Sequence, residues 1–219
     1  MLHWLSQIFD QLKRWVFPQK CFSCGRLLDT RSCFSCLKDL VESAKLKQNN
    51  HHGITHFYWF EYTHRLRALL SEIKFHKDRH LLVDFMKLMQ PHFAELLVQL
   101  NPSSLACVPL HHQKLKLRGF NQAEDIARHM DNHDHHLFCD AFSRIKNTPA
   151  LFGLKERERQ DVLKEAFKLN AGPLKSPIIL VDDILTTGTT LHLMKDLILK
   201  ENPQAEIYFA TLCFTPAPK

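Results

Sequence analysis

The chain has 219 residues, 45% of them hydrophobic and 24% charged, with a formal net charge of +6. That length supports one α/β domain with a small appendage, and the positive balance favours polyanionic partners without identifying one. The longest helical candidate, residues 80–100, carries Asp84, Lys87, Gln90 and Pro91, which exclude it as a membrane span.

Residues 2–16 place Leu5, Ile8, Phe9, Leu12, Trp15 and Val16 on one helical face. Such a stripe packs against the body of a protein more often than it rests on a membrane. Residues 1–17 lack an uninterrupted apolar core and a small-residue cleavage site. The expectation is a cytoplasmic chain whose thiols stay reduced. Cys21, Cys24, Cys33 and Cys36 then form C-x2-C-x8-C-x2-C. Each C-x2-C turns two thiolates onto one ion, and two such knuckles close a tetrahedral structural zinc site. Two disulfides are the alternative, which the reducing compartment disfavours.

Residues 49–53 look like a linker, so the expected domains are 1–50, an N-terminal helix with a four-cysteine zinc module, and 51–219. A strand is expected over 54–61, followed by helices over 63–76 and 80–98. Here Arg65, Arg67, Lys74, Lys77 and Arg79 alternate with Tyr62 and Phe75. Cations interleaved with aromatic rings suit a groove for single-stranded nucleic acid, and the same pattern arises on an amphipathic helix whose basic side chains face water. Both readings stay open.

A strand over 105–109 leads into Lys114, Lys116 and Arg118, three cations at alternating positions. They can donate to a pyrophosphate group beside a neighbouring strand end; a solvated basic loop is the alternative. A helix over 121–131 and a strand over 137–143 come next. Between them His133, His135 and His136 sit in a polar turn and are given no chemistry. Cys107, Cys139 and Cys213 have apolar neighbours and read as core residues.

After a polar connection, Pro177 precedes a buried strand over 178–182 that ends in Asp182 and Asp183. Thr186, Thr187, Gly188, Thr189 and Thr190 then open a helix over 190–201, and a last strand covers 206–213. Strands separated by helices imply a mainly parallel sheet, whose carboxyl edge binds ligands. Gly188 allows close backbone approach, and the threonine hydroxyls with the helix N–H groups can donate to a phosphate. Each such charged hydrogen bond is worth roughly 1.5–3 kcal/mol. The two carboxylates repel phosphate but suit adjacent sugar hydroxyls and a hydrated Mg2+ bridging to a second phosphate group. The chain has neither G-x-x-x-x-G-K-[ST] nor G-x-G-x-x-G, which argues against a P-loop NTPase or a dinucleotide-binding domain.

Residues 178–190 resemble the phosphoribosyl pyrophosphate (PRPP) signature of type I phosphoribosyltransferases. That resemblance assigns Asp182 and Asp183 to the ribose 2- and 3-hydroxyls and Thr186 to Thr190 to the 5-phosphate. Taken with the cysteine quartet, Ile73-Lys74-Phe75 and Arg118-Gly119-Phe120-Asn121-Gln122, the chain resembles the ComF family of competence proteins (ComF/GntX) along almost its whole length. The segment starting at Arg144 also resembles a family segment, but Leu151 stands where glutamine is usual and Val162 where asparagine is typical. The resemblance implies an α/β phosphoribosyltransferase-like domain with a small zinc module. It further implies a role in natural transformation, in which the protein takes up PRPP and single-stranded DNA in the cytoplasm. Two alternatives remain at this stage. One is an active phosphoribosyltransferase on an unidentified acceptor, with Lys114, Lys116 and Arg118 stabilising departing pyrophosphate. The other is a zinc-dependent docking adaptor for a helicase or recombination protein.

Overall fold

The computed structural model describes residues 19–28, 32–131, 137–148, 162–163, 165–170 and 174–215. The helix expected over 2–16, the histidines His133, His135 and His136, and the stretch holding Leu151, Glu158 and Arg159 lie outside the described residues. The chain forms two compact units, Met1–Ser43 with Thr63–Leu88 and Ala44–Tyr62 with Met89–Lys219.

In the first unit, β1 (Gln19–Lys20) and β2 (Leu27–Leu28) pair antiparallel, and α1 (Phe34–Glu42) follows. α1 buries Leu37, Leu40 and Val41. The helix α2 (His64–Phe75) starts at Thr63, whose side chain accepts from the Leu66 N–H, and buries Leu66, Leu69, Leu70 and Ile73 at helical spacing. Its successor α3 (Arg79–Leu100) belongs to the first unit as far as Leu88 and to the second from Met89, where it runs through Pro91. No described helix is long and apolar enough to cross a membrane.

The second unit is built on six strands, β3 (Lys47–His51), β4 (Ile54–Glu61), β5 (Ser104–Cys107), β6 (Phe138–Cys139), β9 (Ile178–Leu185) and β10 (Ile207–Phe214). Their order is β3-β4-β10-β9-β5-β6, and every pairing is parallel except β3 with β4. The mainly parallel α/β sheet expected from the sequence is therefore present. β9 lies centrally, with Ile178, Ile179, Leu180 and Val181 fully buried, as an apolar run covered on both faces requires. The remaining strands, β7 (Phe142–Arg144) and β8 (Phe167–Leu169), form a separate antiparallel pair.

Four local expectations change. Residues 49–53 are no linker: they close the β3–β4 hairpin, where His52 (φ 50°) and Gly53 (φ 87°) take left-handed conformations and the Asn50 side chain accepts from the Gly53 N–H. β3 reads KQNNH and carries no apolar residue, so periodicity could not reveal it. The strand expected over 137–143 breaks at Asp140 into β6 and β7, and Asn170 binds the Ala141 and Asp140 carbonyls across the gap. β9 extends past 182 to Leu185, because β10 keeps pairing with it as far as Phe214.

The fourth change concerns the cations. Residues 112–118 form the short helix α4 (His112–Arg118), capped by His111 at one end and by left-handed Gly119 (φ 88°) at the other. Alternating positions share a face on an extended chain but not on a helix, where i and i+4 do. Lys114 and Arg118 thus share a face, and Lys116, which is exposed, does not. Two further helices complete the unit, α5 (Gln122–Asp131) and α6 (Thr189–Glu201).

Candidate functional site

The chain leaves β5 for β6 on one side and later returns to β9 on the other side of β5. In open α/β sheets the crevice outside the carboxyl ends of two such strands is where ligands bind. Here that crevice lies between the segment after β5, which holds α4, and the end of β9 with the bend that opens α6.

The bend is tightly specified. Gly188 caps α6 with φ 69°, a conformation that other residues adopt at a cost. A Cβ at Gly188 would also lie 2.4 Å from His51 Cε1. His51 Nδ1 is 3.0 Å from His192 Nε2, so two histidines back the bend from β3 and from the first turn of α6. Burial, with His51 beside it, lowers the pKa of His192 to about 4. Thr187 and Thr189 hydroxyls meet at 2.9 Å. Asp182 is half-buried, accepts from the Asp183 N–H at 2.8 Å, and is followed by a buried Asp183. Successive side chains of a strand leave opposite faces, so the two carboxylates do not stand side by side.

On the β5 side, Lys114 Nζ donates to the Thr148 carbonyl at 2.6 Å, and Arg144 Nη2 donates to the Thr148 hydroxyl. Arg118 Nη1 donates to Gln122 Oε1 at 2.6 Å. Burial, with Arg144 and Arg118 nearby, lowers the pKa of Lys114; burial also lowers that of Arg144, against the opposing pull of Asp182. Three cations and one carboxylate therefore share this crevice. Among the described residues, the buried Arg144 Nε and Gln122 Nε2 have no hydrogen-bond partner, and buried donors of this kind are rare unless a ligand or water meets them. Sequence reasoning gave no role to Arg144 or Gln122. Arg144 reaches the crevice from β7, a three-residue strand that periodicity does not expose.

The cysteine quartet comes together in the first unit, with its four Sγ atoms within 4.8 Å of one another. Cys21 Sγ and Cys24 Sγ lie 3.7 and 3.8 Å from Cys33 Sγ. Zinc–sulfur bonds of about 2.3 Å in a tetrahedron put sulfurs about 3.8 Å apart, whereas a disulfide needs about 2.05 Å. All seven cysteines are free, and the quartet has the geometry to hold a zinc ion. The first knuckle is closed by the Gly25 N–H on the Cys21 carbonyl, and the Cys33 N–H points at Cys21 Sγ. Hydrogen bonding from the Cys36 N–H, then from Ser35, brings the Cys33 thiol down to about 6, while its bond with Cys33 pushes the Cys36 thiol up to about 12, so without metal the two share a proton. Arg65 spans the two knuckles, with Nε donating to Ser23 Oγ at 3.0 Å and Nη2 to the Cys36 carbonyl at 3.1 Å.

The other nucleic-acid candidates fall in the same unit. Arg67, Lys77 and Arg79 are exposed and Lys74 is half-buried, next to Phe75, which is 77% exposed. The structure thus puts cations and one open aromatic face around the end of α2.

Comparison with known proteins adds the following. The phosphoribosyl transferase domain family matches residues 118–219. Competence protein F of Haemophilus influenzae is 33% identical over 103 residues, covering 45% of each chain. Competence protein ComFC of Bacillus subtilis is 26% identical over 201 residues, covering 88% of this chain and 76% of that protein. DNA utilization protein YhgH of Escherichia coli is 30% identical over 115 residues, 52% of this chain and 50% of the relative. The Haemophilus and Escherichia matches thus span about half the length of those relatives.

Proposed function

Because the chain belongs to the ComF family of competence and DNA-utilisation proteins and carries a phosphoribosyltransferase domain, we propose that the crevice between β5 and β9 binds PRPP. The 5-phosphate lies on Thr186, Thr187, Gly188, Thr189 and Thr190, and the ribose hydroxyls on Asp182, the carboxylate that faces the crevice, while Asp183 leaves the other face of β9. The pyrophosphate is held by Lys114 and Arg118, joined by Arg144. Asp182 would supply the carboxylate oxygens that a hard cation such as magnesium prefers, and the ion would offset the ligand's phosphate charge. The observation that carries this reading is the convergence of Lys114, Arg118 and Arg144 across the crevice from the threonine bend, with the Arg144 and Gln122 donors left without partners.

The quartet holds zinc and keeps the first unit folded; the exposed cations Arg67, Lys77 and Arg79, with Lys74 and Phe75, contact single-stranded DNA in the cytoplasm. The clustering of three cations at the pyrophosphate position also favours a second reading, transfer of the phosphoribosyl group to an acceptor. Departing pyrophosphate needs electrostatic support of that kind, and no protein nucleophile is required.

Calorimetry with PRPP and magnesium tests the primary reading. Binding should weaken by at least about tenfold in Asp182→Asn and in Lys114→Ala, the loss of one charged hydrogen bond. Equal affinity in both folded variants would refute it. Release of pyrophosphate on adding a candidate acceptor would establish the second reading.

A further inference from the structure

A cleft of about 1060 Å³ opens beside the bend, and Thr187 and Thr189 form part of its wall. Sites for a single small molecule span about 300–1,000 Å³, so a phosphate seated on those hydroxyls would occupy only one end of this space. From there the cleft follows α6, with Leu193, Leu197 and Phe167 supplying apolar surface and Lys168 and Lys200 supplying charge. Lys200 lies eleven residues beyond Thr189 on the helix, about 16 Å at the helical rise. The acids on the wall, Glu165 and Asp196, are each engaged by a lysine, Lys146 at 3.2 Å and Lys195 at 2.9 Å. With both acids offset by lysines outside the wall, Lys168 and Lys200 make the surface positive.

We propose that crevice and cleft together receive the 3′-terminal nucleotides of a single nucleic-acid strand. The last sugar sits on the Asp182 side, its 5′-phosphate on the bend is a diester, and the preceding nucleotides leave along the cleft towards Lys200. This rests on the crevice being a ribose-phosphate site. The carboxylate sets the polarity. A strand entering by its 5′ end, or threading through, would carry a phosphate on the 3′ oxygen and bring it against Asp182, whereas a terminal 3′-hydroxyl donates to it. Apolar surface in the cleft suits base faces, and lysines track the backbone, the combination by which single strands are held. The continuity of the cleft with Thr187 and Thr189, together with its charge, identifies a polyanion as the occupant.

The test uses the full chain and oligonucleotides labelled with a fluorophore at the 5′ end, ending in a 3′-hydroxyl or a 3′-phosphate, with ribose or deoxyribose at the last position. Fluorescence anisotropy should show the 3′-phosphate weakening binding by at least about tenfold, the scale of one charged hydrogen bond. The double variant Lys168→Glu, Lys200→Glu should weaken the oligonucleotide by a similar factor and leave PRPP affinity, read by calorimetry, unchanged. A ribose end that binds more tightly than a deoxyribose end further supports the sugar's place on Asp182. Oligonucleotide binding indifferent to both the 3′ cap and the double variant, with PRPP still bound, would overturn the cleft proposal and leave the crevice reading intact. Loss of PRPP binding by the unaltered, folded protein would remove both.

Discussion

The cysteine quartet and the crevice achieve recognition by different means. The quartet is local: four thiols within sixteen residues, Cys21 to Cys36, meet through two tight turns, and its geometry suits one metal. The crevice is assembled from α4, β7 and the continuous stretch from β9 to the start of α6, three pieces separated in the chain and brought together by strand order. A local site of strong bonds should fail all at once, whereas an assembled site of weaker contacts should lose function by degrees.

The sharpest way to break that contrast is at the quartet. Cys33→Ser, or chelation of the metal, should unfold the first unit, since structural zinc contributes about 10–16 kcal/mol to small domains; metal content and circular dichroism report it. A variant that keeps its helix content without metal would show the module to be self-supporting. Arg65→Ala sharpens the same point, because an arginine bridging both knuckles should slow metal loss, and its removal should raise the chelator-induced release rate by about 10–100-fold.

At the crevice, Gly188→Ala should be the most damaging single change. It combines a left-handed backbone with a contact of 2.4 Å to His51, and a cost of at least about 3 kcal/mol is expected from such strain and overpacking. Denaturant titration measures it. Arg144→Met should leave folding intact and weaken PRPP binding by about 1.5–3 kcal/mol in calorimetry. Acid should act through two histidines whose pKa values lie well below the usual range. His56 is buried between Thr211 Oγ1 at 2.8 Å and Asn49 Oδ1 at 3.2 Å, and burial lowers its pKa to about 3, while His192 falls to about 4. Unfolded histidine titrates near 6.5, so the unfolded chain takes up protons first. Stability is therefore complete above about pH 6.5 and is lost as pH falls towards 4 and 3, by about 1.4 kcal/mol per pH unit for each such group; urea midpoints across pH 7 to 5 follow it. Lys116→Ala, on the opposite face of α4, should change neither stability nor PRPP affinity by more than about 0.5 kcal/mol.

The legibility of each part follows its range in sequence. The quartet, the threonine bend and the alternation of strands with helices are short-range patterns, and they were readable. Helicity of 112–118 was not, because KLKLR alternates like a strand and only the cap residues His111 and Gly119 fix the helix. β3 escaped notice because its stability comes from pairing with β4 and from the Asn50 turn. Arg144 and His51 owe their places at the crevice to topology, whereas Gln122 and His192 lie within four residues of Arg118 and Gly188. The family-like segment that begins at Arg144 and the motif that ends at Gln122 were the available pointers, and neither carried a role.

The backing of Gly188 by His51 and His192 bears on how a ligand would be met. A bend wedged from behind by two rings holds its amide groups in place before anything arrives, so little chain ordering is left for the binding step. Amide hydrogens of the bend should then exchange slowly even in the free protein, and saturation with PRPP should slow them only slightly further.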